Sequence, residues 1–132
     1  MNMIKRGQED YLRLLYILGN TEGVRNVDIA NKLKIKKSSV SEMLRKLHKQ
    51  SLVNLKPYSK VFLTKKGETI AEKLFDRHIT IKKFFKKFLH YEDNKASEEA
   101  HQLEHHFSED TVKIMNEFVE GKKELNLPNY VG

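Results

Sequence analysis

The chain of 132 residues contains no cysteine. That excludes disulfides and thiolate metal ligands, and it is compatible with a reducing compartment. No apolar run approaches the roughly 18 to 20 residues that span a bilayer, so no membrane partner is expected. The opening residues, Met1-Asn2-Met3-Ile4-Lys5-Arg6-Gly7, lack the apolar core of a secretory signal, and a cytoplasmic protein is expected. Internal repeats and low-complexity segments are also absent. With 39% hydrophobic and 33% charged residues, the composition is that of a folded chain forming one domain or two small units.

The formal net charge of +7 is unevenly placed. Residues 1–64 carry 13 Lys/Arg against 5 Asp/Glu, and residues 65–132 carry 12 against 13. Essentially all the excess lies in the first half, as expected if that half meets a polyanion and the second half does something else.

Hydrophobic periodicity predicts a mainly α protein. A first helix is expected over about Gln8 to Asn20, with Tyr11, Leu14, Leu15 and Leu18 at helical spacing and the Gly19 and Gly23 region stopping it. A short second helix follows, with Asn26 as its N-cap and Ile29, Ala30 and Leu33 inward. A third runs over about Lys37 to Gln50, burying Val40, Met43, Leu44 and Leu47. Leu52–Lys56 and Lys60–Thr64 alternate as strands around a Pro57-Tyr58-Ser59 turn. The pattern is a winged helix-turn-helix of three helices and a two-stranded wing over residues 1–64.

Residues 65–132 read as a helical domain. Thr64 caps a long helix, Lys65 to about His90, with Ile70, Leu74, Ile81, Phe85 and Phe88 apolar. Asn94 or Ser97 opens a fifth helix through His106, and Ser108 caps a sixth that ends at Gly121, before an irregular tail. Phe75, Phe84, Phe85, Phe88, Phe107 and Phe118 are many large groups for three helices to bury, so part of this surface is expected to meet a second subunit. A homodimer also lets paired recognition helices read half-sites about one DNA turn apart.

The candidate partner of the basic half is double-stranded DNA. Lys36, Lys37, Ser38, Ser39, Ser41, Glu42 and Arg45 crowd the start and outer face of the third helix. Lysines and hydroxyls suit phosphates there, while the serines, Glu42 and Arg45 also suit base edges. Lys56, Tyr58 and Lys60 on the wing would follow the adjacent backbone or minor groove. Taken singly, each lysine is a solvated surface charge; as an ensemble they point to DNA.

The sharpest local feature is His101-Gln102-Leu103-Glu104-His105-His106. On a helix, His101, Glu104 and His105 at i, i+3 and i+4 share one face. Imidazoles with a carboxylate suit a divalent ion such as Fe, Mn, Co, Ni or Zn. Read blandly, the same residues are a histidine-rich polar face.

Several fragments run in order along the chain: Glu9-Asp10-Tyr11-Leu12-Arg13-x-x-Tyr16, Val27-Asp28-Ile29-Ala30, Ser38-Ser39-Val40-Ser41, Leu63-Thr64-x-x-Gly67, Arg77-His78 and Glu104-His105-His106-x-Ser108. Together they resemble the diphtheria toxin repressor family of metal-dependent regulators over nearly the whole length. The length resembles the short, manganese-responsive branch, which lacks the extra SH3-like carboxy-terminal domain. The resemblance implies a primary metal site from Asp10, His101, Glu104 and His105, with His78 a further contributor. It implies Fe(II) or Mn(II) as cofactor, with Zn(II) also compatible, and repression of metal-uptake genes when metal is plentiful.

There are departures from the family pattern. Arg13 stands where the manganese branch has a glutamate, and His101 where the two branches have glutamate or cysteine. Lys82 and Ser97 stand where the iron branch has ancillary ligands. A cation at Arg13 or Lys82 opposes a second ion, so one complete site per subunit is expected. Two other readings stay open on the residues. His-x-x-Glu-His is also a zinc metallopeptidase signature, though only 27 residues follow His105 to supply another ligand and a cleft. A winged-helix regulator answering an organic ligand is the other.

Overall fold

The computed structural model describes residues 6–19 and 22–124. In chain order these form α1 (Arg6–Leu18), β1 (Val24–Arg25), α2 (Asn26–Leu33), α3 (Lys37–Lys49), β2 (Val53–Lys56), β3 (Lys60–Leu63), α4 (Lys65–Phe88), α5 (Asp93–Leu103) and α6 (Glu109–Val119). The chain packs as two compact units that divide between Phe75 and Asp76, inside α4. The functional division expected after residue 64 marks where α4 begins; the packing division marks where its side chains change neighbours. The helix end expected at Asn20, and the irregular tail beyond Glu124, lie outside the described residues.

The first unit is a small helical domain closed by a sheet. Tyr11, Leu12, Leu14 and Leu15 of α1 meet Ile29 and Ala30 of α2, Val40, Leu44 and Leu47 of α3, and Val53 and Val61 of the sheet. Ala71 and Leu74, from the start of α4, complete this core. The α2–α3 connection is tight: Lys34 turns through the left-handed region (φ 57°), and Lys34 and Ile35 both donate backbone N–H groups to the Ala30 carbonyl. Such a C-cap satisfies carbonyls at the helix end and redirects the chain within three residues.

Two sequence expectations change here. The sheet has three antiparallel strands in the order β1-β3-β2, because Val24 and Arg25 pair with Val61 and Lys60 on the far side of the hairpin. A two-residue strand has too few residues to show alternation. The N-cap of α2 is Arg25, without a side-chain cap bond, rather than Asn26. Asn26 instead opens the helix and donates from Nδ2 to Ser41 Oγ at 2.8 Å.

Thr64 caps α4 as expected. Its Oγ1 accepts from the Gly67 amide at 3.0 Å and donates to the Ser51 carbonyl at 2.7 Å. The first turn of α4 is thereby clamped onto the Ser51-Leu52 turn, so closely that a Cβ on Gly67 would sit 2.0 Å from the Leu52 carbonyl oxygen. Only glycine fits there.

The second unit is built from the rest of α4, α5 and α6. Its buried core is Ile81, Phe85, Ala96, Ala100 and Met115, with Phe84, Tyr91, Phe107 and Val112 half-buried against it. Ala96 and Ala100, four residues apart, give α5 a smooth face toward this core. Lys86 and Lys82 of α4 hold the Asp93 carboxylate at the start of α5, at 2.9 and 3.1 Å. Lys87 donates to the Phe118 and Val119 carbonyls at the end of α6. Ser108 caps α6 by accepting from the Thr111 amide at 3.1 Å.

α5 starts earlier than expected. Its N-cap is Glu92, not Asn94 or Ser97, and no side chain caps it. The phenylalanine argument for a second subunit also changes. Phe84, Phe85 and Phe88 stack along α4, and Phe88 meets Phe118 edge-on at 6.1 Å. Among the described residues, the exposed large apolar groups of this unit are Leu89, Leu103 and Ile114. Among the described residues, no helix is long and apolar enough to cross a membrane.

Candidate metal centre and nucleic-acid interface

Among the described residues, the second unit buries one carboxylate. Glu104 is only 2% exposed, and removing such a charge from water costs several kcal/mol unless it is paired. α5 ends at Leu103, and Glu104 opens a single 3-10 turn, Glu104–His106. The motif therefore straddles a junction rather than lying on one regular helix, as the i, i+3, i+4 argument assumed. The convergence survives because the backbone stays right-handed and helical at Glu104 (φ −57°, ψ −31°).

Three imidazoles surround that carboxylate. His78 Nδ1, from α4, donates to Glu104 Oε2 at 2.8 Å. His101 Nδ1 lies 3.6 Å from Oε1, and His105 Nε2 lies 3.7 Å from the same oxygen. The His101 and His105 rings meet edge-on with centroids 6.5 Å apart. His78 arrives from 26 residues away, and only the packing of α4 beside the end of α5 brings it in. Three borderline nitrogen donors and one hard oxygen donor fit a divalent first-row transition metal. When bound, such an ion would supply a positive charge beside the buried carboxylate. Asp10 stands half-buried on α1, in the first unit.

In the first unit, α3 carries Lys36, Lys37, Ser38, Ser39, Glu42 and Arg45 exposed at its start and along one side. Ser41 is half-buried, its hydroxyl engaged by Asn26. Lys56 is exposed, Lys60 is half-buried, and Tyr58 is 88% exposed at the tip of the hairpin. Tyr58 takes a left-handed backbone (φ 66°) directly after Pro57. A cleft of about 200 Å³ separates α3 from the hairpin, with Asn26, Ser41, Arg45, Leu55, Lys56 and Lys60 on its walls. Asn26 is the member that sequence reasoning missed as a surface contributor. Its signal was hidden because asparagine before a helix reads as a cap.

Comparison with known proteins accounts for both units. Residues 3–61 match the iron dependent repressor, N-terminal DNA binding domain, and residues 64–124 match the iron dependent repressor, metal binding and dimerisation domain. The chain belongs to the iron-dependent repressor family. An uncharacterised helix-turn-helix-type transcriptional regulator of Methanocaldococcus jannaschii is 39% identical over 118 residues, which cover 88% of this chain and 94% of the relative. The structure of the manganese regulator SloR superposes with a TM-score of 0.75 at 34% identity, over 86% of this chain and 53% of that one. The crystal structure of ScaR with bound Cd2+ gives 0.74 at 30%, again over 86% and 53%. The chain thus spans about half the length of those manganese-regulator structures.

The resemblance to the diphtheria toxin repressor family drawn from the sequence is borne out, with its winged helix-turn-helix followed by a helical domain. Iron-dependent repressors are metal-dependent transcriptional regulators, not enzymes. The metallopeptidase reading of His-x-x-Glu-His therefore falls away, and nothing favours the organic-ligand reading. Within the repressor family assignment, the cationic α3 and hairpin belong to the DNA-binding part. The imidazole-ringed Glu104 belongs to the metal-binding part.

Proposed function

We propose that this protein is a repressor that binds operator DNA as a homodimer when loaded with a divalent transition metal, and that it shuts down metal-uptake genes when metal is plentiful. The observation that carries this reading is the buried Glu104 ringed by His78, His101 and His105, in a chain whose other unit exposes a cationic recognition helix. Residues 1–64 are assigned DNA binding, through Lys36, Lys37, Ser38, Ser39, Ser41, Glu42, Arg45, Lys56, Tyr58 and Lys60. Residues 65–132 are assigned metal binding and dimerisation. The protein acts in the cytoplasm.

The metal ligands are His78, His101, Glu104 and His105, joined by Asp10 of α1, one site per subunit. Donors from both halves of the sequence share an ion only in conformations that bring them together. Metal and DNA binding are then linked, each strengthening the other by the same factor. The test is a metal titration read out by operator binding, on wild type and on Asp10→Asn. Wild type should bind DNA more tightly with metal. Asp10→Asn should still bind metal, more weakly, while its metal-stimulated DNA binding is largely lost. Unchanged coupling in that variant refutes the linkage, and metal-independent DNA binding by the wild type refutes the function.

A further inference from the structure

We infer that Asn26 is a positioning residue of the DNA interface: it fixes the polarity of the Ser41 hydroxyl and leaves that group a hydrogen-bond donor toward DNA. The inference rests on the functional reading above and goes beyond it by giving a role to a residue outside the recognition helix.

A serine hydroxyl is ambivalent, holding one hydrogen to give and lone pairs that accept. Here the ambivalence is removed. Asn26 Nδ2, at the start of α2, donates to Ser41 Oγ at 2.8 Å. The oxygen is thereby engaged as an acceptor, and its own hydrogen is kept for another partner. Ser41 shares a face of α3 with Ser38 and Arg45, which stand at i−3 and i+4 and are both exposed. The hydrogen is therefore available on the side of the helix proposed to meet DNA.

An asparagine amide can present either end, and its surroundings decide which. Arg45, Lys56 and Lys60 share the cleft walls with Asn26 and Ser41, and no carboxylate is among the described residues that line this cleft. Asn26 Oδ1 is buried and accepts no hydrogen bond from the described residues. Beside three cations, the carbonyl end of the amide is the stabler end to leave without a donor, because its partial charge is negative. The N–H end is then the one given to Ser41. A buried acceptor left unpaired costs stability, so this amide is not placed there for the fold alone. A Ser41 that can only donate selects what it meets. Phosphate oxygens fit it, as do guanine O6 and N7, adenine N7 and thymine O4 in the major groove, whereas the amino groups of cytosine and adenine do not.

The experiment uses the full chain loaded with Mn(II) and the duplex that wild type enriches from a pool with a randomised core. Affinities are measured for wild type, Asn26→Asp, Ser41→Ala and the double variant, with folding checked by circular dichroism. Asn26→Asp is isosteric and suits the first turn of a helix, but its carboxylate only accepts, so Ser41 must turn its hydrogen inward. The substitution should cost about tenfold more affinity with Ser41 present than in the Ser41→Ala background, where charge repulsion acts alone and the cycle cancels it. If the acceptor on DNA is a base edge, that excess is confined to duplexes carrying the base; if it is a phosphate, the excess is the same on every duplex. Asn26→Ala, which releases the hydroxyl, should show a smaller excess of the same sign and serves if the aspartate variant does not fold. Equal losses in the two backgrounds, in folded variants, overturn the inference while leaving DNA binding intact. Failure of the metal-loaded wild type to bind any duplex overturns the function itself.

Discussion

The two units of this chain solve the problem of stability in opposite ways. Among the described residues, the first buries fifteen apolar residues, and most of its charges are exposed to water. The second has five buried apolar residues among those described, two of them alanines, and it places a carboxylate in its interior. Hydrocarbon burial at about 25 cal/mol per Å² favours the larger core of the first unit. A small core with a buried anion depends more on what binds it, whether an ion at Glu104 or a second subunit. The difference parallels the proposed division of labour: the unit proposed to bind DNA has the larger apolar core, and the unit proposed to bind metal holds the buried carboxylate.

The strongest way to break this comparison is at Glu104. Glu104→Gln keeps the shape and removes the charge, so metal affinity should fall by a factor on the order of a hundred or more, and the metal response should vanish. In metal-free protein the same substitution should lower stability, because the carboxylate that accepts from His78 at 2.8 Å is replaced by a weaker, neutral acceptor. Thermal melting with and without metal checks both halves. If metal raises the melting temperature of Glu104→Gln as much as that of wild type, the ion does not sit at this carboxylate.

A core substitution tests the self-sufficiency of the first unit. Gly67→Ala drives a methyl group into the Leu52 carbonyl and should cost about 1–3 kcal/mol, as overpacking does. Denaturant unfolding should show that loss with or without metal. A loss that metal reverses would mean the two units are not energetically distinct in the way argued above.

On the exposed side of the same unit, Lys37→Ala with Arg45→Ala should weaken DNA binding without destabilising the fold. Two lost phosphate contacts should reduce the slope of log affinity against log salt by roughly 2. An unchanged slope in binding titrations would remove α3 from the interface.

The smallest expected effect belongs to Asp93. Lys86 and Lys82 donate hydrogen bonds to it and hold its carboxyl below the usual aspartate range. A folded value below the unfolded one means that the pair stabilises at neutral pH. That contribution fades as acid titrates the carboxyl through its lowered range. Unfolding midpoints of wild type and Asp93→Asn should therefore differ slightly at pH 7 and converge in acid; a gap that widens in acid contradicts the assignment.

Sequence alone determined the parts of this protein that are written in short-range patterns. The spacing of Tyr11, Leu14 and Leu15, of Val40, Leu44 and Leu47, and of Ile81 and Phe85 predicts helices whose buried faces are those observed, because a helix repeats every 3.6 residues whatever it packs against. Thr64 and Ser108 were legible as caps for the same local reason. His101, Glu104 and His105 were legible as a cluster because they are neighbours on one turn. Tertiary structure decided what no local spacing encodes. It paired Val24 with Val61, turned Ser41 inward to Asn26, and brought His78 across 26 residues onto Glu104. Each of these rests on contacts between distant segments, whose closeness depends on how whole helices and strands pack rather than on the period of any one of them.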